Sequence, residues 1–467
     1  MSLPLLLTLI AVLLHIAGIA AAMHAVMYTR TPQGAFAWVL GLVLLPYATL
    51  LPYLYLGRSR FHGYVGKHRL HREHLELTRA GADTGDGMAA ECARFAALTT
   101  MLDTPFHSGQ KLQLLIDGDA TFEAILTAIA QAEHCVLVQF FIFHDDGLGR
   151  RMQQVLLERA AAGVEICVLY DGVGSHELPS HYVDTLRAGG VAIHPFATQQ
   201  RSNRFQLNFR NHRKIVVIDG WRGFVGGLNV GDEYLGLKPP LAPWRDTHME
   251  LQGPAVADLQ RSFAEDWHWV TGALPPILMP RPAEGTAHTL IAATGPADRQ
   301  ESCSLLFVGA INAAQQRLWI TTPYFVPDQA VMSALRLAVF RGVDVRVLIP
   351  ARPDHRTVFL ASTLHAYDAL RAGIRVFRFQ PGFIHQKVML IDDDATSIGS
   401  MNLDNRSFRL NFEVAALNVD RAFADAVDAM LRNDFSRAVE LTEAEYREAR
   451  WWRRLAMHVA RLFDPIL

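Results

Sequence analysis

Lysine is nearly missing from this chain. Five residues (Lys67, Lys111, Lys214, Lys238 and Lys387) stand against 39 arginines. A chain that uses Arg almost everywhere makes each Lys slot informative, because a compact ammonium is not interchangeable with a planar guanidinium. Cysteine is scarce as well. Cys92, Cys135, Cys167 and Cys303 lie far apart and match no zinc or Cys-x-x-Cys spacing. That favours buried thiols in a reducing compartment over a disulfide framework. Charge is thin, at 19% of residues, against roughly 25% in soluble domains. The net charge of −2 and the pI near 6.9 leave no strongly basic stripe of the kind a general nucleic-acid binder needs. No P-loop or dinucleotide fingerprint occurs, so no nucleotide is implied.

What the chain has instead is apolar length. Half its residues are hydrophobic and the mean hydropathy is +0.12. Residues Leu3 to Met27 and Gly34 to Leu56 contain no Asp, Glu, Lys or Arg. Each is long enough to cross roughly 30 Å of hydrocarbon. The spacing predicts two transmembrane helices within residues 1–57, with Pro46 and Pro52 kinking the second. One basic residue in the connector (Arg30) faces six after it (Arg58, Arg60, Lys67, Arg69, Arg72 and Arg79). That bias predicts a multi-pass hairpin with both chain ends in the cytoplasm. A cleaved signal peptide is the alternative, but the first apolar core is too long and its start carries no basic side chain.

Residues 58–105 are polar and read as a juxtamembrane linker with some helix. From about 106, strand-like runs alternate with helical ones, the sign of an α/β architecture. The second half then echoes the first. The strand at Val136 is matched at Leu318, Gly163-Val-Glu-Ile-Cys-Val-Leu at Gly342, and Leu186-Arg-Ala-Gly at Leu370, with offsets of 182, 179 and 184 residues. Such offsets mean a duplicated domain, predicted over 106–271 and 284–430. A Pro-rich linker (272–283) joins the copies, and a helical segment (431–467) follows.

One pattern recurs in both copies. His212-Arg-Lys214-Ile-Val-Val-Ile-Asp219 precedes Gly226-Gly-Leu-Asn229; His385-Gln-Lys387-Val-Met-Leu-Ile-Asp392 precedes Gly399-Ser-Met-Asn402. The chance rate of His-x-Lys-x4-Asp at this composition is about 0.013 per chain. On a strand, His and Lys two residues apart share a face. Two imidazoles, two ammonium groups and two amides brought to one point would suit a phosphodiester. Lys214, Lys387, Asn229 and Asn402 would hold its non-bridging oxygens. One His would attack phosphorus while the other protonates the leaving oxygen. Asp219 and Asp392 complete the motif, and a supporting role is preferred for them to a catalytic one. No His/Cys/Asp/Glu group has metal-ligand spacing, so neither metal nor cofactor is expected.

These residues resemble the phospholipase D superfamily, and within it the bacterial cardiolipin synthases. The apolar N-terminal segments, Trp244-Arg-Asp-Thr-His248, Tyr324-Phe-Val-Pro-Asp328 and Ser407-Phe-Arg-Leu-Asn-Phe-Glu413 extend the likeness over nearly the whole chain. The resemblance implies two tandem phospholipase-D-like α/β domains, each a mixed sheet between helices, with one active site at their pseudo-twofold interface. It implies that His212 and His385 are nucleophile and general acid/base. It also makes Asp246 and Glu413 candidates for orienting the histidines. The implied activity is transfer of a phosphatidyl group between two phosphatidylglycerol molecules, giving cardiolipin and glycerol, at a bacterial inner membrane and without nucleic acid. A hydrolytic phospholipase D and a tethered nuclease are the alternatives on the same residues. The segment Trp451 to Phe463 mixes Trp and Arg with aliphatics at near-helical spacing, which fits either a membrane interface or packing on the domain.

Overall fold

The computed structural model describes residues 2–29, 32–57, 89–196 and 208–467. The basic run used above to orient the chain, and most of the expected 58–105 linker, lie outside the described residues.

Three helices open the chain: α1 (Leu3–Tyr28), α2 (Pro32–Leu44) and α3 (Pro46–Leu56). At 1.5 Å per residue, α1 reaches about 39 Å, enough to cross a bilayer, and it carries no Asp, Glu, Lys or Arg. The expected second span is corrected. Among the described residues only α1 is long and apolar enough to cross. Leu45 leaves the helical region (φ −136°, ψ 57°) ahead of Pro46, and the Thr49 hydroxyl bonds the carbonyls of Gly41 and Leu45. The chain reverses there instead of kinking. Tyr47 lies 6.5 Å from His15, Tyr53 hydrogen-bonds His24, and Trp38 packs 5.1 Å from Tyr53. So α2 descends along α1 to about its midpoint and α3 climbs back, ending on the side where α1 ends.

The first copy contributes β1 (His107–Ile116), β2 (Cys135–Phe140), β3 (Glu165–Asp171), β4 (Ala192–Phe196), β5 (Arg210–Asn211), β6 (Ile215–Ile218), β7 (Arg222–Gly226), β8 (Trp244–Arg245) and β9 (Thr247–Gln252). The second contributes β10 (Ala287–Thr294), β11 (Arg317–Thr321), β12 (Phe325–Val326), β13 (Asp344–Pro350), β14 (Arg375–Phe379), β15 (Phe383–Ile384), β16 (Val388–Ile391), β17 (Ala395–Gly399), β18 (Leu403–Asp404), β19 (Asn411–Val419) and β20 (Ala438–Glu440). Each copy runs through the same order. β9-β7-β6-β2-β3-β4 is mirrored by β19-β17-β16-β11-β13-β14, and β1 pairs β10 at the centre. Two mixed sheets were expected; the copies share one continuous sheet through that central antiparallel pair.

The strands of each motif are apolar on both faces, Ile215–Ile218 and Val388–Ile391, and all eight residues are buried. Helices cover both faces, which is why these runs do not alternate. Helix Val256–Thr271 of the first copy and helix Arg421–Ser436 of the second share one hydrophobic cluster with both motif strands. The expected boundary at 430 therefore falls inside a core helix. Residues 89–105 are likewise not linker: Cys92, Phe95 and Leu98 sit in the second copy's core. All four cysteines are free and buried.

Candidate active site

Short exchanged strands bring the two motifs together. β5, just before His212, pairs with β19 of the other copy, and β15, just before His385, pairs with β8. The His212 amide donates to the Phe412 carbonyl at 2.9 Å, and the His385 amide to the Arg245 carbonyl at 2.7 Å. Each histidine is thus registered by the opposite domain's backbone.

The same exchange supplies the carboxylates. His212 Nδ1 lies 2.9 Å from Glu413 Oε2, and His385 Nδ1 lies 2.7 Å from Asp246 Oδ2. A carboxylate opposite Nδ1 keeps the proton there and leaves Nε2 as the basic nitrogen. Both carboxylates come from the domain that does not own the histidine they hold, a pairing that motif spacing alone does not show.

The two halves differ in how those carboxylates are anchored. Glu413 accepts from the Ser400 hydroxyl, from Ser407 Oγ at 2.8 Å and from Asn411 Nδ2 at 3.1 Å. Despite its burial, contact with His212, the Lys214 charge and the Ser400 hydroxyl hold its carboxyl below the ordinary range. Asp246 accepts from the Thr247 amide at 2.7 Å, and burial pushes it up. The first copy has no hydroxyl where the second has Ser400, and the structure gives the reason. A Cβ on Gly227 would meet Asp246 Oδ1 at 2.2 Å, so only glycine fits.

Lys214 is fully buried, with Nζ 2.7 Å from the His212 carbonyl and 5.4 Å from the Phe141 ring centroid. Phe141 also packs edge-on against His212 at 5.0 Å. Lys387 Nζ lies 2.9 Å from His385 Nε2. Burial brings Lys387 down to about 8, even though Asp246 and Glu413 pull the other way. Burial also lowers Lys214, and the Lys387 charge adds to that. His212 is brought down to about 4, chiefly by burial. The result is a desolvated site with two lysine amines, two imidazoles and two carboxylates.

Asn229 spans the first copy's rim: its Oδ1 accepts from the Ile142 amide and its Nδ2 donates to Tyr234 Oη. Asn402 is buried and its Oδ1 has no partner among the described residues.

The family described as "Cardiolipin synthase, PLD-like domain" matches residues 125–267 and 307–435, one copy each. The chain belongs to the cardiolipin synthase family. It is 57% identical to Cardiolipin synthase A of Pseudomonas aeruginosa over 97% of this chain and 95% of that protein. It is 55% identical to that of Pseudomonas fluorescens, over 97% of each. Among solved structures, phosphatidylserine synthase of Haemophilus influenzae superposes with a TM-score of 0.63, covering 80% of this chain and all of that one at 15% identity. That likeness concerns the fold alone.

In this cardiolipin synthase family chain the two motif aspartates, for which a supporting role is preferred, stand apart from the other motif residues. Asp219 follows β6 and Asp392 follows β16, so each stands at the far end of its strand from the His and Lys. Asp219 accepts from the amides of Glu133, His134 and Cys135 at the start of β2. Asp392 accepts from those of Gln315, Gln316 and Arg317 at the start of β11, and from Arg94. Both take left-handed backbone (φ 49° and 53°), which Asp tolerates better than most residues. Each is a clamp between adjacent strands. Removing the acceptor orphans three amides, so Asp219→Ala is expected to lose about 3 kcal/mol of stability while folded protein keeps its turnover within a few-fold. Urea unfolding and specific activity check this; a rate loss beyond 100-fold at unchanged stability would return Asp219 to the chemistry.

Sequence reading passed over the polar floor of the site. Asp266 takes Arg213 Nη1 at 2.8 Å, Asn211 Nδ2 at 2.8 Å and Gln139 Nε2 at 2.7 Å. Asp434 is its counterpart, taking Arg245 Nη2 at 2.8 Å and Gln386 Nε2 at 3.0 Å. The residue between His and Lys is Arg in one copy and Gln in the other. Where it is Gln, the guanidinium comes from Arg245 across the interface. The repeat register, which places Asp266 and Asp434 on corresponding helices, was the signal available for finding them.

Proposed function

We propose that this chain makes cardiolipin, moving a phosphatidyl group from one phosphatidylglycerol to a glycerol hydroxyl of a second and releasing glycerol. The observation that carries this reading is the pair of buried histidines, each with Nδ1 on a carboxylate from the other domain, facing two buried lysines. One Nε2 attacks phosphorus, and the phosphatidyl group becomes bonded to the imidazole as the phosphorus–oxygen bond to glycerol breaks. The second imidazolium gives that oxygen its proton. The second imidazole, now neutral, takes the proton of the incoming hydroxyl, whose oxygen displaces the first imidazole. Lys214, Lys387, Asn229 and Asn402 hold the non-bridging oxygens, where charge builds in a site shielded from water. Asp246 and Glu413 keep the tautomers and steady the imidazolium.

Phosphodiester goes in and phosphodiester comes out, so the residues present suffice without a nucleotide. Membrane association follows from α1 and from the family. We place the catalytic domains on the cytoplasmic side, because the basic run after α3 follows the positive-inside bias; protease access in oriented membrane vesicles tests that side. Purified protein given phosphatidylglycerol alone is expected to form cardiolipin and glycerol in equal amounts. Phosphatidic acid as the main product would overturn the transfer reading in favour of hydrolysis.

A further inference from the structure

The helix Trp451–Arg461 sits on the protein the wrong way round for a soluble domain. A surface helix ordinarily turns its apolar stripe inward. Here Trp451, Leu455, Val459 and Leu462 follow the i, i+4, i+8, i+11 spacing of one face, with Trp452 and Phe463 beside them. That face looks outward: Trp451 is 71% exposed, Leu455 53% and Leu462 77%. The opposite face seats the helix through the small contact surface of Met457 and Ala460, both buried, with Ala460 in a cluster with Val326 and Ala361.

This outward stripe is held in place rather than left to fray. Arg461 bonds Asp368 at 3.0 Å on the helix Arg356–Arg371. Just beyond, Asp464 bonds His365 at 2.7 Å. The Leu467 carbonyl takes the Arg406 amide at 2.7 Å, and the Ile466 carbonyl takes the Arg406 guanidinium. Ion pairs and backbone bonds on the inner side thus fix an apolar face on the outer side. Residues 449–463 carry four arginines (Arg450, Arg453, Arg454 and Arg461) and no acidic residue; all four arginines are exposed.

We propose that this helix is a second membrane anchor, lying in the interface of an anionic bilayer with its Trp/Leu stripe inserted. Two Trp at one end, aliphatics along the stripe and exposed Arg450, Arg453 and Arg454 at the Trp end match an in-plane interfacial helix. The arginine excess selects negative lipid over neutral. With α1 tethering one end of the chain, a second contact beyond the second domain restricts how the catalytic pair can tumble against the surface. The proposal does not depend on the reaction above.

The test uses the full-length chain in nanodiscs. All four native thiols are buried, and burial pushes Cys92 up to about 11 and Cys135 and Cys167 to about 12, so an engineered Leu455→Cys is labelled selectively with an environment-sensitive dye. Phosphatidylserine mixed with phosphatidylcholine serves as the anionic surface, since it separates charge from turnover of phosphatidylglycerol. The dye is expected to shift to the blue and brighten several-fold in the anionic discs, with little change in pure phosphatidylcholine. Arg453→Glu with Arg454→Glu is expected to abolish the shift. An unchanged spectrum in anionic discs overturns the proposal, as does an equal shift in neutral discs. So does a shift in detergent that grows with protein concentration, which would make a second copy of the chain the occupant.

Discussion

Turnover is expected to fall by about 10⁴-fold or more in His212→Ala, and equally in His385→Ala, with the double variant no worse than either. Each imidazole acts in both halves of the reaction, one carrying the phosphatidyl group and the other relaying the proton. Losing either stops the cycle, so the losses do not add. The fold should survive. Without His212, Glu413 keeps Ser400, Ser407 and Asn411. Without His385, Asp246 keeps the Thr247 amide. Cardiolipin formation measured by mass spectrometry, alongside thermal unfolding, checks this. Either single variant retaining more than about a hundredth of wild-type turnover would break the two-histidine scheme.

Much of that site was legible before any coordinates. The doubled His-x-Lys-x4-Asp pattern located both halves, and the duplication required them to meet. Asp246 and Glu413 were legible as candidates, but not their exchange. Which domain's carboxylate reaches which histidine depends on β5 pairing β19 and β15 pairing β8, contacts of two residues each that leave no periodic trace. Asp219 and Asp392 were legible as supports, but not which groups they support. They recur at fixed spacing because the turn after each strand needs an acceptor for three amides, and recurrence does not separate a clamp from a catalyst. The reversal at Leu45 was hidden because proline in an apolar helix usually marks only a kink; the hydroxyl of Thr49 is what completes the turn. At the other end, periodicity showed that residues 451–463 are amphipathic but not which face meets the protein. That is decided by Met457, Ala460 and the ion pairs beside them.

The scarcity of lysine leads to the last expected result, in which charge is kept and activity is lost. Lys387→Arg and Lys214→Arg are each expected to lower kcat/KM by about 100-fold, the cost of moving a reacting group by about an ångström. Lys214 has no exposed surface, lies against the Phe141 ring and spends one donor on the His212 carbonyl. Lys387 Nζ lies 2.9 Å from His385 Nε2. A guanidinium is wider and planar and cannot occupy either volume without displacing the bound phosphate. The pH profile separates shape from charge. Burial brings Lys387 down to about 8, so the free enzyme holds the needed ammonium below that pH and loses it above. Wild-type kcat/KM should therefore fall more steeply above about pH 8, beyond the decline that loss of the imidazolium already imposes at lower pH. Arginine stays protonated throughout this range, so Lys387→Arg should be slow but lack that limb. A variant within a few-fold of wild type would mean that Lys387 serves only as charge. A limb near 8 that persists in the variant would assign the titration to another group.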